Sequence, residues 1–349
     1  MAAPPSLLCT SPPVEARLRS LLEEERDRWA AVDPDLVEPL DTLGELLLAG
    51  GKRLRPAFCH WAHVGAGGDP DDARVVDAGA ALELLHAFAL VHDDVMDGSD
   101  LRRGVDAAHR AHARRHDREG WAGESRRFGE GVAILVGDLS FVYADALLRG
   151  APLEARSVFD ELRLELNMGQ YLDVLGTARG AVQLETARRI ASYKSGKYTI
   201  ERPLHLGAAL AGRLPELVGP LSAYGLPLGE AFQLRDDVLG AFGETVDTGK
   251  PVGDDLREGK PTPLLALARR AATAEQLEVL DRVGDPSLDA VSVAELQQVY
   301  VATGALADVE QRIEALTDEA LAVAKELPVT AEAQVALTEL ATYVAERTS

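Results

Sequence analysis

The chain has 349 residues, of which 46% are hydrophobic and 27% are charged, and its formal net charge is −21. This composition is typical of a soluble globular protein, and the negative charge argues against a nucleic-acid backbone or an anionic membrane surface as partner. No apolar run reaches the roughly 18 residues of a membrane-spanning helix, so we expect no membrane insertion. A phosphorylated small molecule is not excluded, because it needs only a local positive pocket or a bound metal.

The two cysteines, Cys9 and Cys59, have neither the spacing of a metal site nor that of a disulfide framework, which is typical of a reducing cytosol. The N-terminus lacks the basic and apolar segments of a secretion signal. We therefore expect a cytoplasmic protein.

The predicted elements are all helices. Alanine, leucine, glutamate and arginine dominate, while aromatic residues make up only 5% of the chain. We expect a flexible tail at 1–13 and a single all-α domain at 14–349, because no linker divides the chain. The predicted helices, separated by glycine- and proline-rich segments, are 14–31, 36–48, 53–65, 72–91, 130–149, 153–176, 183–211, 215–241, 262–282, 292–302, 304–326 and 330–346.

The helix predicted at 72–91 is apolar nearly all round, which is typical of a buried central helix, and it leads directly into the sequence HDDVMD. Asp93 and Asp97 are four residues apart and would share one face, with Asp94 about 100° round the helix. Like charges at this spacing repel, and a hard cation such as Mg²⁺ would offset the repulsion. The alternative interpretation is a solvated, frayed helix end.

A second acidic pair, Asp236 and Asp237, closes the mostly apolar helix in FQLRDDVLGAFG, and Gln233 lies about one turn before it. Both acidic pairs follow an apolar helix and precede a glycine-containing segment. If the two pairs face each other, they could hold several metal ions against one diphosphate.

Basic residues cluster in glycine-rich turns beside both acidic pairs. The chain has 30 arginines but only 6 lysines, and five of the lysines adjoin glycine or a hydroxyl residue, which suits a compact charge for phosphate. Each one alone could be a solvated loop charge. Together with metal-binding acids in a helical body, they indicate a site for a diphosphate with an apolar tail. The candidates are Lys52, Arg53 and Arg55 in GGKRLRP, Arg102 and Arg103 in LRRG, Lys194, Ser195 and Lys197 in SYKSGKYT, and Lys250 and Lys260 in DTGKPVGDDLREGKPT.

At these residues the sequence closely resembles the trans-isoprenyl diphosphate synthases of the polyprenyl synthetase family, most of all the bacterial geranylgeranyl diphosphate synthases. The resemblance runs from about residue 36 to residue 345. Six motifs follow in the family's order: GGKRLRP, ELLHAFALVHDDVMD, LRRG, YKSGKYT, FQLRDDVLG and GKPVGDDLREGKPT. The resemblance implies a helical bundle around a deep central cavity, usually a homodimer. It also implies Mg²⁺-assisted ionisation of an allylic diphosphate, followed by attack of isopentenyl diphosphate on the allylic cation.

The resemblance also implies a role for each site residue. The Mg²⁺ ligands would be Asp93, Asp97 and Asp236, with Asp94 and Asp237 in support. The allylic diphosphate would be held by Arg102, Lys194, Lys250 and Lys260. The isopentenyl diphosphate would be held by Lys52, Arg55, His86 and Arg103. The dipoles directed toward the developing cation would be those of Ser195 and Gln233.

Two features depart from the family pattern. Gly240 stands where the second motif commonly has a third acid. The loss of that acid could weaken a metal site, or leave the metal bound by Asp236 and waters. The charged segment 112–128 is longer than expected, and we interpret it as a solvated loop.

The residues before the first acidic motif resemble those of members that form a C20 product, geranylgeranyl diphosphate. Phe88 and Ala89 lie five and four residues before Asp93, along the expected path of the growing tail. We expect Phe88 to act as the floor of this path. C15 and C25 products are the alternatives, and Phe88 could instead only pack in the core.

Two other classes of function remain open. A class I terpene synthase would share the acidic chemistry and the helical body, but it would lack a second diphosphate pocket, so GGKRLRP and His86 argue against it. A non-catalytic partner subunit would usually have lost acids from a motif, whereas both acidic pairs are intact here.

Overall fold

The computed structural model describes residues 3–102, 104–179, 183–243 and 252–346. Within these ranges the only strands are the antiparallel pair β1 (Leu101–Arg102) and β2 (Val105–Asp106), so the predicted all-α fold is confirmed. The helices are α1 (Pro5–Leu8), α2 (Ser11–Ala30), α3 (Glu38–Leu48), α4 (Leu54–Gly65), α5 (Ala73–Asp97), α6 (Ala108–Glu119), α7 (Ser125–Leu147), α8 (Leu153–Arg179), α9 (Leu184–Ala191), a π-helix (Ser192–Glu201), α10 (Arg202–Leu210), α11 (Leu214–Phe242), α12 (Asp254–Glu258), α13 (Pro263–Ala271), α14 (Ala274–Leu280), α15 (Ala290–Ala302), α16 (Ala305–Ala324) and α17 (Ala331–Glu346), with a short 3-10 turn at Pro34–Val37.

Two long helices, α5 and α11, carry the acidic pairs. α5 begins after Asp72, whose side chain accepts a hydrogen bond from the backbone N–H of Arg74, and it ends at Gly98, which adopts the left-handed conformation. α11 ends at Gly243. Because both helices extend through their acids, the carboxylates project from rigid helices rather than from loops.

The hydrophobic core has three parts. The first joins α2, α3, α5, α7 and α8, the second joins α4, α10, α11 and α17, and the third joins α11, α13, α15 and α16. Burial of each large aliphatic side chain stabilises the fold by about 1.5–3 kcal/mol. The central cavity lies between α5 and α8 of the first part and α11 of the others.

By length and composition alone, α5 would be able to cross a membrane. Most of its apolar stretch is buried inside the bundle, as in the core helix of a globular protein. Its apolar surface is therefore used in packing against its neighbours.

The predicted flexible tail is wrong for the residues that the structure describes there. Pro5–Leu8 forms α1, and Leu7 is buried in the second part of the core. The indole of Trp61 donates a 2.7 Å hydrogen bond to the carbonyl oxygen of Ser6. One buried leucine and one indole contact are too weak a pattern to detect in a proline-rich sequence. That the remaining chain forms a single domain stays a prediction.

The predicted solvated loop at 112–128 is also wrong. Most of it belongs to α6 and the start of α7, and α6 buries His109, His112 and His116 on one face. The buried face was missed because it consists of histidines among charged residues rather than aliphatic side chains. Only 120–124 connects the two helices.

Two predicted helices are interrupted. The segment 183–211 is divided into α9, the π-helix and α10. The segment 262–282 is divided at Ala272, which is extended, and Thr273 then begins α14 with a reciprocal capping box to Gln276.

Candidate active site

One cavity of about 680 Å³ collects residues from α4, α5, α8, the π-helix, α11 and α12. Most of the predicted site residues line it, although the sequence places them far apart. These are Lys52, Arg55, His86, Asp93, Arg102, Lys194, Ser195, Gln233, Asp236, Asp237 and Lys260. Arg103 and Lys250 lie outside the described residues.

Asp93 of the first cluster is held by a lysine and an amide. Its Oδ1 accepts hydrogen bonds from Lys194 Nζ at 2.9 Å and from Gln170 Nε2 at 2.7 Å, and Lys194 Nζ also donates to Asp173 Oδ2 at 2.5 Å. Burial alone would raise the pKa of Asp93, but the charges of Lys194 and Lys260 outweigh burial and lower that pKa to about 2. Asp93 is therefore a carboxylate at neutral pH.

Asp97 lies one turn further along α5 and has the opposite shift. Burial, followed by the charge of Asp93, raises the pKa of Asp97 to about 7. Lys260 Nζ lies 3.7 Å from Asp97 Oδ2 and 3.3 Å from Asp255 Oδ1, so this one ammonium group joins the first cluster to α12. Burial opposes the charge on Lys260, but Asp255 and its other acidic neighbours raise the pKa of Lys260 well above its usual value.

Asp94 is placed differently from its two neighbours. Its side chain is buried, and both carboxylate oxygens lie 3.1 Å from Arg102 Nε. Asp94 therefore orients the arginine of β1, and Arg102 in turn lines the cavity.

The second cluster faces the same cavity from α11. Gln233 Nε2 donates to Asp237 Oδ1 at 2.7 Å. Asp237 is buried, and within the described part of the chain its Oδ2 accepts no hydrogen bond. Burial raises the pKa of Asp237 well above its usual value. An orphaned buried oxygen of this kind fits a site that is completed by a cation.

Gly240, which replaces the expected third acid, lies against the carboxylate of Asp255 from α12. A Cβ at position 240 would overlap Oδ2 of Asp255. Asp255 also lines the cavity. An acid from α12 therefore occupies the space that a side chain at position 240 would take.

A third group of residues surrounds Arg55 on α4. Arg55 Nη2 donates to Thr199 Oγ1 at 3.0 Å, and the guanidinium lies 4.1 Å from the centre of the Tyr198 ring. The rings of His86 and Tyr198 lie 6.2 Å apart. Arg53, in contrast, is buried and paired with Glu83, so its role is structural.

Phe88 does not belong to the lining of the cavity, whereas its neighbour Ala89 does. The Phe88 ring packs against those of His92 and Phe141, with centroid distances of 4.7 and 4.9 Å. The expected floor therefore lies beside the cavity wall and not on it.

Sequence reasoning missed several acids and amides that complete the site. They are Gln170 and Asp173 on α8, Asp255 on α12, and Glu258, whose Oε2 lies 2.6 Å from Lys260 Nζ. Asp255 and Glu258 fall within the quoted motif GKPVGDDLREGKPT, which was the available signal. α8 carries so many charges that the sequence alone does not show which ones face inward.

No group of three or more acid, histidine or cysteine side chains in the described ranges converges on a ready-made metal site. The carboxylates are instead held by lysine and arginine. Magnesium commonly binds one or two carboxylates together with substrate phosphates, so this donor set fits Mg²⁺ that arrives with a diphosphate.

A helical bundle whose cavity is lined by acids of two clusters, by several cations and by apolar side chains is typical of an enzyme for diphosphate substrates. The polyprenyl synthetase family model matches residues 37–302. The chain belongs to the polyprenyl synthetase family and is a prenyltransferase that makes prenyl diphosphates.

Individual relatives agree on the family but differ in product. The geranylgeranyl pyrophosphate synthase of Corynebacterium glutamicum, solved with isoprenyl diphosphate and magnesium, is 37% identical with a TM-score of 0.91, covering 96% of this chain and 97% of that one. The geranylfarnesyl diphosphate synthase of Aeropyrum pernix is 31% identical over 86% of this chain and 92% of its own length. The octaprenyl diphosphate synthase of Escherichia coli strain K12 is 32% identical over 84% and 85%.

Proposed function

We propose that the chain condenses isopentenyl diphosphate with an allylic diphosphate to give an all-trans prenyl diphosphate of about C20, geranylgeranyl diphosphate. The observation that carries this proposal is the convergence on one cavity of acids from both clusters with the side chains of Lys52, Arg55, Arg102, Lys194 and Lys260. A cation-rich subsite around Arg55, separate from the acids, supports two diphosphate pockets rather than the single pocket of a terpene synthase.

The allylic diphosphate would lie between the two acidic clusters. Asp93, Asp97 and Asp236 would hold Mg²⁺, which supplies Lewis-acid stabilisation of the leaving diphosphate. Lys194 and Lys260 already touch these acids, so their ammonium groups are within reach of the same phosphate oxygens. Such preorganised positive charge is most effective where charge develops in the transition state.

The isopentenyl diphosphate would be held by Lys52, Arg55 and His86, with Arg103 as a further predicted contact. Thr199 and Tyr198 fix the Arg55 guanidinium before any ligand binds. A fixed fork of N–H donors suits a diphosphate, because less side-chain entropy is lost on binding.

The walls between the two subsites would protect the allylic cation. Gln233 has its amide nitrogen committed to Asp237, so its amide oxygen is the end available to a developing positive charge. The Ser195 hydroxyl lines the same cavity. The apolar wall, including Leu90, Leu166 and Phe232, would exclude water that quenches the cation.

Product length would be set where the tail passes along α5. Ala89 lies one turn before Asp93 and lines the cavity together with Leu166, and its small side chain leaves the path open at that level. Beside it, Phe88 and Phe141 pack against each other. We propose that this aromatic pair, packed behind the cavity wall, supports the part of the wall that stops the tail at C20, with C15 and C25 as the alternatives.

We also propose that the enzyme acts as a homodimer in the cytoplasm. α7 exposes Leu135 and Val142 on one face, and α8 exposes Leu164, Met168 and Tyr171 on one face, each side chain being 58–62% exposed. Exposed apolar faces of this kind are typical of subunit interfaces. Light scattering after size-exclusion chromatography tests the dimer, and a monomeric mass at micromolar concentration would contradict it.

Product analysis tests the function. The protein is incubated with Mg²⁺, isopentenyl diphosphate and either dimethylallyl, geranyl or farnesyl diphosphate, and the dephosphorylated products are separated by chromatography. C20 alcohol from each primer is the expected result. Cyclised products without consumption of isopentenyl diphosphate would indicate a terpene synthase, and no turnover would indicate a partner subunit.

A further inference from the structure

The π-helix Ser192–Glu201 forms a wall between two cavities. Lys194, Ser195 and Tyr198 line the central cavity, whereas Gly196 and Lys197 line a second cavity of about 350 Å³ on the other side. The same ten residues therefore present one face to the central cavity and another face to the second cavity.

The substrate-facing side serves both proposed diphosphate pockets. Lys194 contacts Asp93 of the allylic pocket, while Thr199 and Tyr198 fix Arg55 of the isopentenyl pocket. A change in the winding of this segment would therefore alter both pockets together. Going from π to α winding moves each following side chain by up to about 100° round the axis.

π-Helices are rare and occur mostly as single turns, so ten residues of this winding need support from their surroundings. Two glycines on neighbouring helices allow those helices to approach the backbone of the π-helix closely. A Cβ at Gly169 of α8 would lie 2.8 Å from Lys194 Cα, and a Cβ at Gly229 of α11 would lie 2.8 Å from the Gly196 carbonyl oxygen. The backbone of the π-helix is thus clamped between α8 and α11.

A carboxylate of α8 also binds the π-helix through hydrogen bonds. Glu165, one turn before Gly169 on α8, accepts a 2.7 Å hydrogen bond from Lys197 Nζ within the π-helix. Its two oxygens also accept 2.7 Å hydrogen bonds from Nε and Nη2 of Arg202, the first residue of α10. Glu165 thereby holds both sides of the junction at which π winding returns to α winding. It is 8% exposed, so these bonds are shielded from solvent.

Neighbouring groups complete the network without contacting the cavity. Glu201 Oε2 lies 3.3 Å from Lys197 Nζ, and Ser222 Oγ donates to Glu201 Oε1 at 2.6 Å. Burial opposes ionisation of Glu165, but hydrogen bonds from Arg202 and Lys197 lower its pKa below the usual value. The network is therefore charged at neutral pH, and losing one member would leave buried charges unpaired.

We propose that Glu165 is a positioning residue, which through Lys197 and Arg202 keeps the π-helix in the register that presents Lys194 and Ser195 to one substrate and Tyr198 and Thr199 to Arg55. The inference rests on the proposed function, because it assigns Glu165 a part in that same condensation. Glu165 itself contacts neither pocket.

Glu165→Gln tests the proposal, because the amide keeps the shape but loses the charge and one acceptor. We expect kcat to fall about a hundredfold, as a displacement of about 1 Å in the site can cost. We also expect KM to rise for both substrates. A merely structural ion pair would lower Tm and leave the kinetic constants of the folded enzyme unchanged.

Asp77→Asn is the matched control. It removes another 2.7 Å ion pair between helices, that of Asp77 on α5 with Arg17 on α2, and should leave kcat unchanged. If Glu165→Gln does not fold, Lys197→Met carries the test, since it removes the link to the π-helix and keeps the Glu165–Arg202 pair. If Glu165→Gln does fold, the double variant should lose little more kcat than Glu165→Gln alone, because the Lys197–Glu165 contact is already weakened in that variant.

Amide hydrogen exchange of the peptide spanning 192–201 gives a readout that needs no turnover. Exchange there should accelerate in Glu165→Gln and not in Asp77→Asn. Normal kcat, or wild-type exchange over this peptide, overturns the inference. An unmodified protein that fails to condense the two substrates would instead contradict the proposed function, and the exchange experiment would still decide whether Glu165 holds the π-helix.

Discussion

The carboxylate of Asp255 lies against the backbone of Gly240, in the volume that a side chain at position 240 would fill. Position 240 is one turn after Asp236 on α11, where an acid would point at the same cluster. The missing acid of α11 is thus matched by an acid from α12, and Lys260 connects that acid to Asp97 of the first acidic cluster on α5.

Gly240→Ala should therefore displace Asp255. We expect a several-fold fall in kcat and a higher Mg²⁺ concentration at half-maximal rate, because the new Cβ forces the carboxylate away from the second cluster. Gly219→Ala is the control on the same helix, since a Cβ there has no heavy atom within 4 Å. Equal Mg²⁺ titrations for the two variants would show that Asp255 has no part in the metal site.

His86→Ala should raise the KM for isopentenyl diphosphate more than the KM for the allylic substrate. The ring of His86 lies 6.2 Å from that of Tyr198, which packs against Arg55. Steady-state kinetics with each substrate varied in turn measures the difference, and Lys52→Ala should behave in the same way. Equal increases for both substrates would mean that the two pockets are divided incorrectly.

Asp97 should make the metal-free protein less stable as pH rises toward 7. Its folded-state pKa of about 7 is above the unfolded value of about 4, so between these pH values the folded state binds more protons than the unfolded state. Stability then decreases by up to about 1.4 kcal/mol per pH unit from this group. In the Asp97→Asn variant, the free energy of unfolding, measured with urea in the presence of EDTA, should therefore change less between pH 5 and pH 7. An unchanged slope would show that Asp97 is already ionised in this range.

Substitutions at positions 88 and 89 should change the length of the product in opposite directions. Ala89→Phe should shorten the product toward C15, because position 89 lines the cavity. Phe88→Ala should lengthen it beyond C20, because it opens the Phe88–Phe141 contact next to that wall. Chromatography of dephosphorylated products measures both. An unchanged distribution in Phe88→Ala would leave position 89, and not Phe88, as the determinant.

The sequence was sufficient for the helical fold and for bringing the acids and cations to one site. Asp93 and Asp236 each follow an apolar helix, and the family resemblance, rather than the helices themselves, implied that both acidic pairs serve one site. The short motifs containing Lys52, Lys194 and Lys260 are local signals, so they could be read without knowledge of the fold.

What the sequence did not predict depends on long-range packing. The π winding of 192–201 is supported by Gly169, Gly229 and Glu165 from other helices, and no local pattern in SYKSGKYTIE contains that information. The inward direction of Asp173 was hidden among the many charges of α8. α6 was missed because its buried face is made of histidines.

We propose that both acidic clusters act with Mg²⁺ on a diphosphate leaving group. The decisive measurement is the initial rate at which labelled isopentenyl diphosphate enters prenyl product, with Mg²⁺ and with excess EDTA. We expect a rate that disappears in EDTA, returns when Mg²⁺ is restored, and drops by orders of magnitude in a folded Asp236→Ala variant. An undiminished rate in EDTA, or near-normal turnover by Asp236→Ala, would contradict it.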